Sequence, residues 1–238
     1  MCSSDTISAQ SPMMGDFTSL SCLSGNCSYW TATTATQLYC TDFSIVSDFS
    51  SGEYFYTAPI PFNLSFIVGF TGSSWMPSLV VGYSGSWSFR SRINTVLRPD
   101  GYINSSPVAI IDPIIYKQIG VQHVYTVRMS DYDSTDILRC RWATNQTSNT
   151  NGGDECGGVC LGVPGAVLIS YNCTIVFTLT IASKYAAVAL QLEDYYDSAS
   201  LTPMSSIPIQ FLFYGYSLSA NCTTPPDIVG YRPNRGKI

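Results

Sequence analysis

The chain is predicted to be all-β, with an immunoglobulin-like β-sandwich in its C-terminal half and a second β region before it. Three observations carry this. Apolar residues recur at every second position through most of the chain, the spacing of a half-buried strand. Gly, Pro, Ser and Asn clusters separate strand-sized stretches at roughly ten-residue intervals. No window carries a helical stripe with caps.

Residues 1–105 are read as the N-terminal β region. Phe62, Leu64, Phe66, Val68 and Phe70 alternate with Asn63, Ser65 and Gly69, so one face of this strand is apolar. Gly82-Tyr83-Ser84-Gly85 reads as a turn between strands. The natural break is the RPDGYINSSP stretch at 98–107. Residues 106–222 then fit a sandwich of about the usual immunoglobulin size. Strand A is expected at 108–116, B at 121–130, C at 136–143, a D/E pair at 166–180, F at 184–194 and G at 206–218. Leu138, Cys140 and Trp142 alternate with Arg139 and Arg141 in C, and Cys173, Ile175, Phe177 and Leu179 form the inner face of E. Cys140 and Cys173 therefore both face inward and form the expected disulfide, at a spacing unlike the B–F bond of antibody domains, so the kinship is one of architecture only. Pro208 points to an edge position for G, because proline cannot donate to a central ladder. Residues 223–238 are read as a tail.

Six triplets have the N-glycosylation pattern: Asn26-Cys27-Ser28, Asn63-Leu64-Ser65, Asn104-Ser105-Ser106, Asn145-Gln146-Thr147, Asn172-Cys173-Thr174 and Asn221-Cys222-Thr223. Random placement would give about two, so the excess points to an exported glycoprotein. In three of them a cysteine follows the asparagine. On a strand the two side chains point to opposite faces, which lets the cysteine enter a disulfide while the asparagine meets solvent.

The nine cysteines agree with an oxidising compartment and leave at least one free or bonded to another molecule. Cys156 and Cys160 are expected to close a short loop. Cys22, Cys27, Cys40 and Cys222 can pair in several ways, and Cys2, near the chain start, is the candidate for a bond between copies. The spacing does not resemble a zinc site.

Charged residues are only 11% of the chain, with net charge −5 and pI near 4.6. No basic cluster exists to meet nucleic-acid phosphates or an anionic membrane surface. No apolar run approaches the roughly 20 residues of a bilayer helix, so no membrane insertion is expected in this segment. The first residues lack the basic start and apolar core of a signal peptide.

Asp131, Asp133 and Asp136 alternate in a turn between strands. Such carboxylates can hold Ca²⁺, joined by Glu193, Asp194 or Asp197 if strands B and F end at one pole. The other reading is a solvated turn whose aspartates accept backbone N–H bonds; no other cofactor is expected. His123 follows a strand pattern with Tyr125, Val127 and Met129, and one histidine gives little material for a hydrolase triad. No catalytic residues are expected. Trp30, Trp75, Trp87 and sixteen tyrosines suit either sugar stacking or β cores.

Several motifs resemble a group of extracellular proteins found in invertebrates such as rotifers, molluscs and cnidarians and in some microbial eukaryotes. They are RPDGYINSSP (98–107), SDYDSTDILRCRW (130–142), ECGGVC (155–160), YAAVALQLED (185–194) and PMSSIPIQFL (203–212). The resemblance covers most of residues 40–222 and implies a secreted or cell-surface module without enzymatic activity. Relatives carry a cysteine near the position of Val121. Its absence here implies a different partner for a C-terminal cysteine such as Cys222.

The function expected from these readings is a structural or adhesive extracellular glycoprotein. It carries N-linked glycans and joins its own copies head to tail into fibrils, a chain terminus adding as a strand to a neighbour's sheet edge. The alternative is a ligand-binding module, either lectin-like or a receptor ectodomain.

Overall fold

The computed structural model describes residues 2–9, 13–14, 19–30, 36–45 and 49–218. Strands dominate these residues. The N-terminal region holds a short helix α1 (Ser4–Ala9), then β1 (Met13–Met14), β2 (Ser21–Gly25), β3 (Leu38–Ser44), β4 (Phe49–Glu53), β5 (Ser65–Ser73) and β6 (Ser86–Asn94). After the break come β7 (Val108–Ile110), β8 (Ile114–Gln118), β9 (Gln122–Thr126), β10 (Arg128–Ser130) and β11 (Ile137–Trp142). β12 (Val167–Ile169), β13 (Thr174–Thr178), β14 (Tyr185–Tyr195) and β15 (Ser205–Tyr216) complete the chain.

Each expected C-terminal strand is present. A and B are each divided: β7 pairs β10, while β8 pairs β15 in parallel and β9 pairs β13 antiparallel. The division of A falls at Asp112-Pro113, since proline cannot continue a ladder on its N–H side. The expected D/E pair is β12 and β13, joined by a 3₁₀ turn at Ser170–Asn172.

The largest sheet has the order β11-β14-β15-β6-β5-β2, with β8 also on β15. β15 is therefore central, and the edge position inferred from Pro208 is corrected. Pro208 lies opposite Gln191 of β14. On its other side β15 meets β6 at Ser206 and β8 only from Leu212 onward. The proline occupies the gap between those two partners, where a missing N–H leaves no acceptor unpaired.

The β5–β6 hairpin joins this sheet mostly through side chains. Ser91 Oγ donates to Ser206 O (2.7 Å), Gln210 Nε2 to Ser88 O (2.8 Å) and Gln191 Nε2 to Arg90 O (3.1 Å). The sheet thus runs across the break expected near residue 105.

The even-numbered face of β14, with Val188, Leu190 and Leu192, packs with Ile209, Phe211 and Phe213 of β15 against Ile175 and Phe177 of β13. Phe177 and Phe213 stack with ring centroids 4.1 Å apart. Burying each such side chain stabilises the fold by about 1.5–3 kcal/mol. Cys140 and Cys173 are bonded inside this core, as expected, and tie β11 to the start of β13.

The odd-numbered face of β14 is covered by the loop after β11. Gly157 has φ +57°, and a side-chain carbon there would lie 2.0 Å from Ser86 O. Gly162 would place one 2.1 Å from Ala187 O. Only glycine lets this backbone lie directly on the sheet. The Cys156–Cys160 disulfide closes the loop as expected.

Cys2 is bonded to Cys40 within the chain, which corrects the expectation of a bond between copies. β1 pairs β3, so the N-terminal segment is held on its own sheet. Cys22 pairs with Cys27. Cys222 and Asn221 lie outside the described residues.

Candidate functional site

Two buried charge clusters flank β14, one on each face. The first lies at the pole where β10 ends, β11 begins and β14 ends. Arg98, from the segment that precedes β7, has a side chain only 3% exposed. Its guanidinium meets Asp100 (3.0 Å), Asp133 (3.0 Å) and Asp136 (2.8 Å). It also donates to Thr135 Oγ1 (2.8 Å). Burial opposes the Arg98 charge, but Asp136, Asp100 and Asp133 together raise its pKa above the ordinary value.

Asp194 reaches the same pole from the last turn of β14. Its Oδ2 accepts from Asn104 Nδ2 at 2.5 Å and its Oδ1 from Ser205 N at 2.6 Å. One carboxylate oxygen from each of Asp131, Asp136 and Asp194 lies within 4.8 Å of the others. Burial raises the pKa of all three, and that of Asp194 is pushed up to about 6.

The sequence-predicted group Asp131, Asp133 and Asp136 is therefore brought together, but around an arginine that sequence reasoning did not include. Asp194 joins it because B and F do end at one pole. Glu193 points to the opposite face. Asp197 accepts from Ala199 N, Ser200 N and Ser200 Oγ in its own turn.

The second cluster lies on the odd-numbered face. Arg141 Nε donates to Glu193 Oε1 (2.9 Å), and its Nη1 and Nη2 hold both oxygens of Glu155 (2.7 Å each). Asn151 and Thr150 bond the same two carboxylates (2.9 and 2.7 Å). Tyr195 donates its hydroxyl to Glu193 (2.8 Å), and burial with that carboxylate pushes its pKa up to about 12. Burial opposes the Arg141 charge, but the bonds to Glu155 and the charge of Glu193 hold its pKa far above the ordinary value. Every oxygen of Glu155 and Glu193 is thus occupied by a donor, so the cluster fastens the covering loop to the sheet. The available signal was scarcity: in a chain this poor in charge, an Arg and a Glu on facing apolar strands need each other.

His123 Nε2 contacts Gln118 O at 2.8 Å, and its ring packs on Phe177. Trp75 is buried against Trp87, and Trp30 packs on Phe66 with its Nε1 donating to Leu20 O. Trp75 and Trp30 serve packing. A groove of about 520 Å³ lies at Tyr29, Pro59, Ile60 and Pro61.

Asn26, Asn63 and Asn145 are exposed. Asn26 Oδ1 accepts from Ser28 Oγ at 2.7 Å, within its own acceptor triplet. Asn104 is buried, 8% exposed, with the side-chain nitrogen that a glycan would use bonded to Asp194. Asn172 is half-buried on a 3₁₀ turn, and Thr174 is buried against Thr126 (2.8 Å). The cysteine-containing triplets at 26–28 and 172–174 thus centre on turns, and not on the strands expected for them.

No protein family, no curated protein and no solved structure matches this chain. No helix among the described residues is long and apolar enough to cross a membrane.

Proposed function

We propose that the chain is a non-enzymatic extracellular glycoprotein with an adhesive or structural task, acting through contacts between its own copies. The observation that carries this reading is a row of valines on the outer face of the small sheet. Val124, Val176 and Val167 stand in register across β9, β13 and β12. Val124 is 64% and Val167 61% exposed, and Ile110 on neighbouring β7 is 86% exposed. An apolar row on a sheet with open edges is the usual setting for sheet-to-sheet or edge-to-edge association. Four disulfides support an oxidising compartment outside the cell.

The pairing order supports an immunoglobulin-like sandwich. β7/β10 with β9-β13-β12 follows A-B-E-D, and β11-β14-β15 follows C-F-G. Membership in the invertebrate extracellular group belongs to the same proposal. With the N-terminal segment bound to β3, the strand donor for head-to-tail growth is expected at the C-terminal end, whose residues 219–238 lie outside the described ones.

Sedimentation velocity of the whole glycosylated chain over a wide concentration range tests this. Concentration-dependent association that is lost in the Val124→Lys, Val167→Lys double variant is the expected result. A monodisperse monomer at high concentration would overturn it, and electron microscopy of the native material would then show no filaments. The alternative, a lectin-like or receptor-ectodomain module, draws on the groove at Tyr29 and Ile60. Saturable sugar binding by the monomer would favour it.

A further inference from the structure

Three tyrosines stand in one row across the outer face of the large sheet, at the end of β14 away from the acidic pole. Tyr116 of β8 is level with Tyr214 of β15, and Tyr214 is level with Tyr185 of β14. Residues level with one another on neighbouring strands point to the same face, and such strands lie about 4.8 Å apart. The rings keep that spacing. Tyr116 and Tyr214 have centroids 5.2 Å apart, and Tyr185 and Tyr214 have centroids 4.8 Å apart. Burial raises the pKa of Tyr185, and Tyr116 and Tyr214 add to the shift, so the three hydroxyls lie near one another.

The rings are inclined to one another by 62° and 57°. Tilted in this way they offer no common plane on which a sugar ring could lie. The tilt instead turns the edge of one phenol toward its neighbour, and that edge carries the carbons beside the hydroxyl. The backbone under the row is tightly seated: a side-chain carbon at Gly215, the residue after Tyr214, would lie 2.5 Å from Ile181 O. Tyr116 is 51% exposed and open to an oxidant, while Tyr185 and Tyr214 are half-buried. Tyr185 is also packed on the cluster that holds Trp75 and Leu79, so Tyr116 is the neighbour with room to turn toward Tyr214. Tyr39 and Tyr54, on the N-terminal sheet, stand wider, at 5.9 Å.

We propose that Tyr116 and Tyr214 are a dityrosine cross-linking site, joined by a haem peroxidase acting with hydrogen peroxide. Each phenol gives up one electron and its hydroxyl proton and becomes a phenoxyl radical. The two radicals form a bond between the ring carbons next to their hydroxyls. The hydrogen on each of those carbons then moves to the oxygen of its own ring, which restores both phenols. The two electrons and two protons reduce hydrogen peroxide to two waters. Neighbouring strands hold the rings side by side before oxidation, so the coupling step needs no encounter. The bond fastens β8, which among the described strands pairs with β15 alone, and keeps it from peeling off the sheet under load. The site draws its oxidant from the extracellular setting of the proposed function and is independent of how copies associate.

Treating the whole chain with a haem peroxidase and hydrogen peroxide, at a dilution that keeps copies apart, tests this. The readouts are dityrosine fluorescence and fragmentation of linked peptides. Emission is expected from material that sediments as monomer, with a peptide joining Tyr116 to Tyr214 that has lost two hydrogens. Tyr214→Phe is expected to abolish that peptide and most of the emission, whereas Tyr171→Phe, at a tyrosine 74% exposed, leaves both unchanged. The linked peptide from the unaltered chain decides the matter if a variant misfolds. Its absence would overturn the site, as would coupling of Tyr214 to Tyr185 alone, linkage only between copies, or a yield that Tyr214→Phe leaves intact. Because the reaction is run on separated copies, its failure leaves their association standing, and a failure to associate leaves this site standing.

Discussion

Glu193 and Asp194 are chain neighbours on β14, yet they serve opposite faces of the sheet. Glu193 meets Arg141 at 2.9 Å beneath the covering loop, and Asp194 meets Asn104 at 2.5 Å at the acidic pole. Strand alternation makes this possible: one residue's step moves a side chain from one face to the other. The two carboxylates differ in their neutralising partners. Glu193 has an arginine, and Asp194 has only amide and backbone N–H groups, so their mutational effects should diverge.

On the odd-numbered face, Arg141→Met leaves Glu155 and Glu193 buried without their common counter-charge. Breaking a buried pair on one side typically costs about 3–5 kcal/mol. The Arg141 side chain is 26% exposed, which screens part of this, so a loss of about 2–4 kcal/mol is expected. Urea denaturation measures it. Adding Glu155→Gln to Arg141→Met should cost less than the sum of the single changes, because both disrupt one network. Strict additivity would show that the loop is held by other contacts.

The disulfides are expected to differ in weight with the length of chain they close. Cys140–Cys173 spans 33 residues of sequence and Cys156–Cys160 spans 4. Loop entropy alone then assigns about 4 kcal/mol to the first and about 2 kcal/mol to the second. Cys140 and Cys173 are fully buried, whereas Cys22 and Cys27 are only half-buried. Under mild thiol reduction followed by alkylation and mass spectrometry, Cys22 and Cys27 should be labelled well before Cys140 and Cys173. Early labelling of Cys140 in a folded chain would contradict the core placement.

Glycan occupancy should separate the acceptor triplets. Asn26, Asn63 and Asn145 are expected to carry glycans in secreted material, and Asn104 is not, because its nitrogen is buried on Asp194. Enzymatic deglycosylation in heavy-oxygen water, followed by peptide mass spectrometry, reads each site. Full occupancy at Asn104 would require the segment before β7 to lie elsewhere.

Alternation made the C-terminal strands legible to within a residue or two, because residues such as Val188, Leu190 and Leu192 have no other way to share a face. It also placed Cys140 and Cys173 on facing inner surfaces. Pro208 misled because edge and gap look alike in one dimension; only the pairing of β6 and β8 on one side of β15 distinguishes them. The acidic turn was visible, but Arg98 was not, since it approaches from 38 residues before Asp136. Arg141 and Glu193 were each visible as a charge in an apolar strand, and their contact depends on a register of β11 against β14 that no local pattern encodes.

Acidity should act on the pole through Asp194. Burial pushes its pKa up from 3.8 to about 6, nearby Asp131 adds to the shift, and the bonds from Asn104 and Ser205 oppose it. Asp131 and Asp136 are raised as well, mainly by burial, while Asp133, Asp100 and Arg98 complete the charged groups at this pole. Between pH 3.8 and about 6 the folded chain holds a proton that the unfolded chain has released. Stability from this group is therefore full below the unfolded pKa and falls as pH rises through the folded one. A shift of this size corresponds to about 3 kcal/mol. The urea midpoint should thus be lower at pH 7 than at pH 5 by virtue of this site, and Asp194→Asn should flatten that difference. A pH profile that Asp194→Asn leaves unchanged would place the titrating group elsewhere and remove Asp194 from the pole's chemistry.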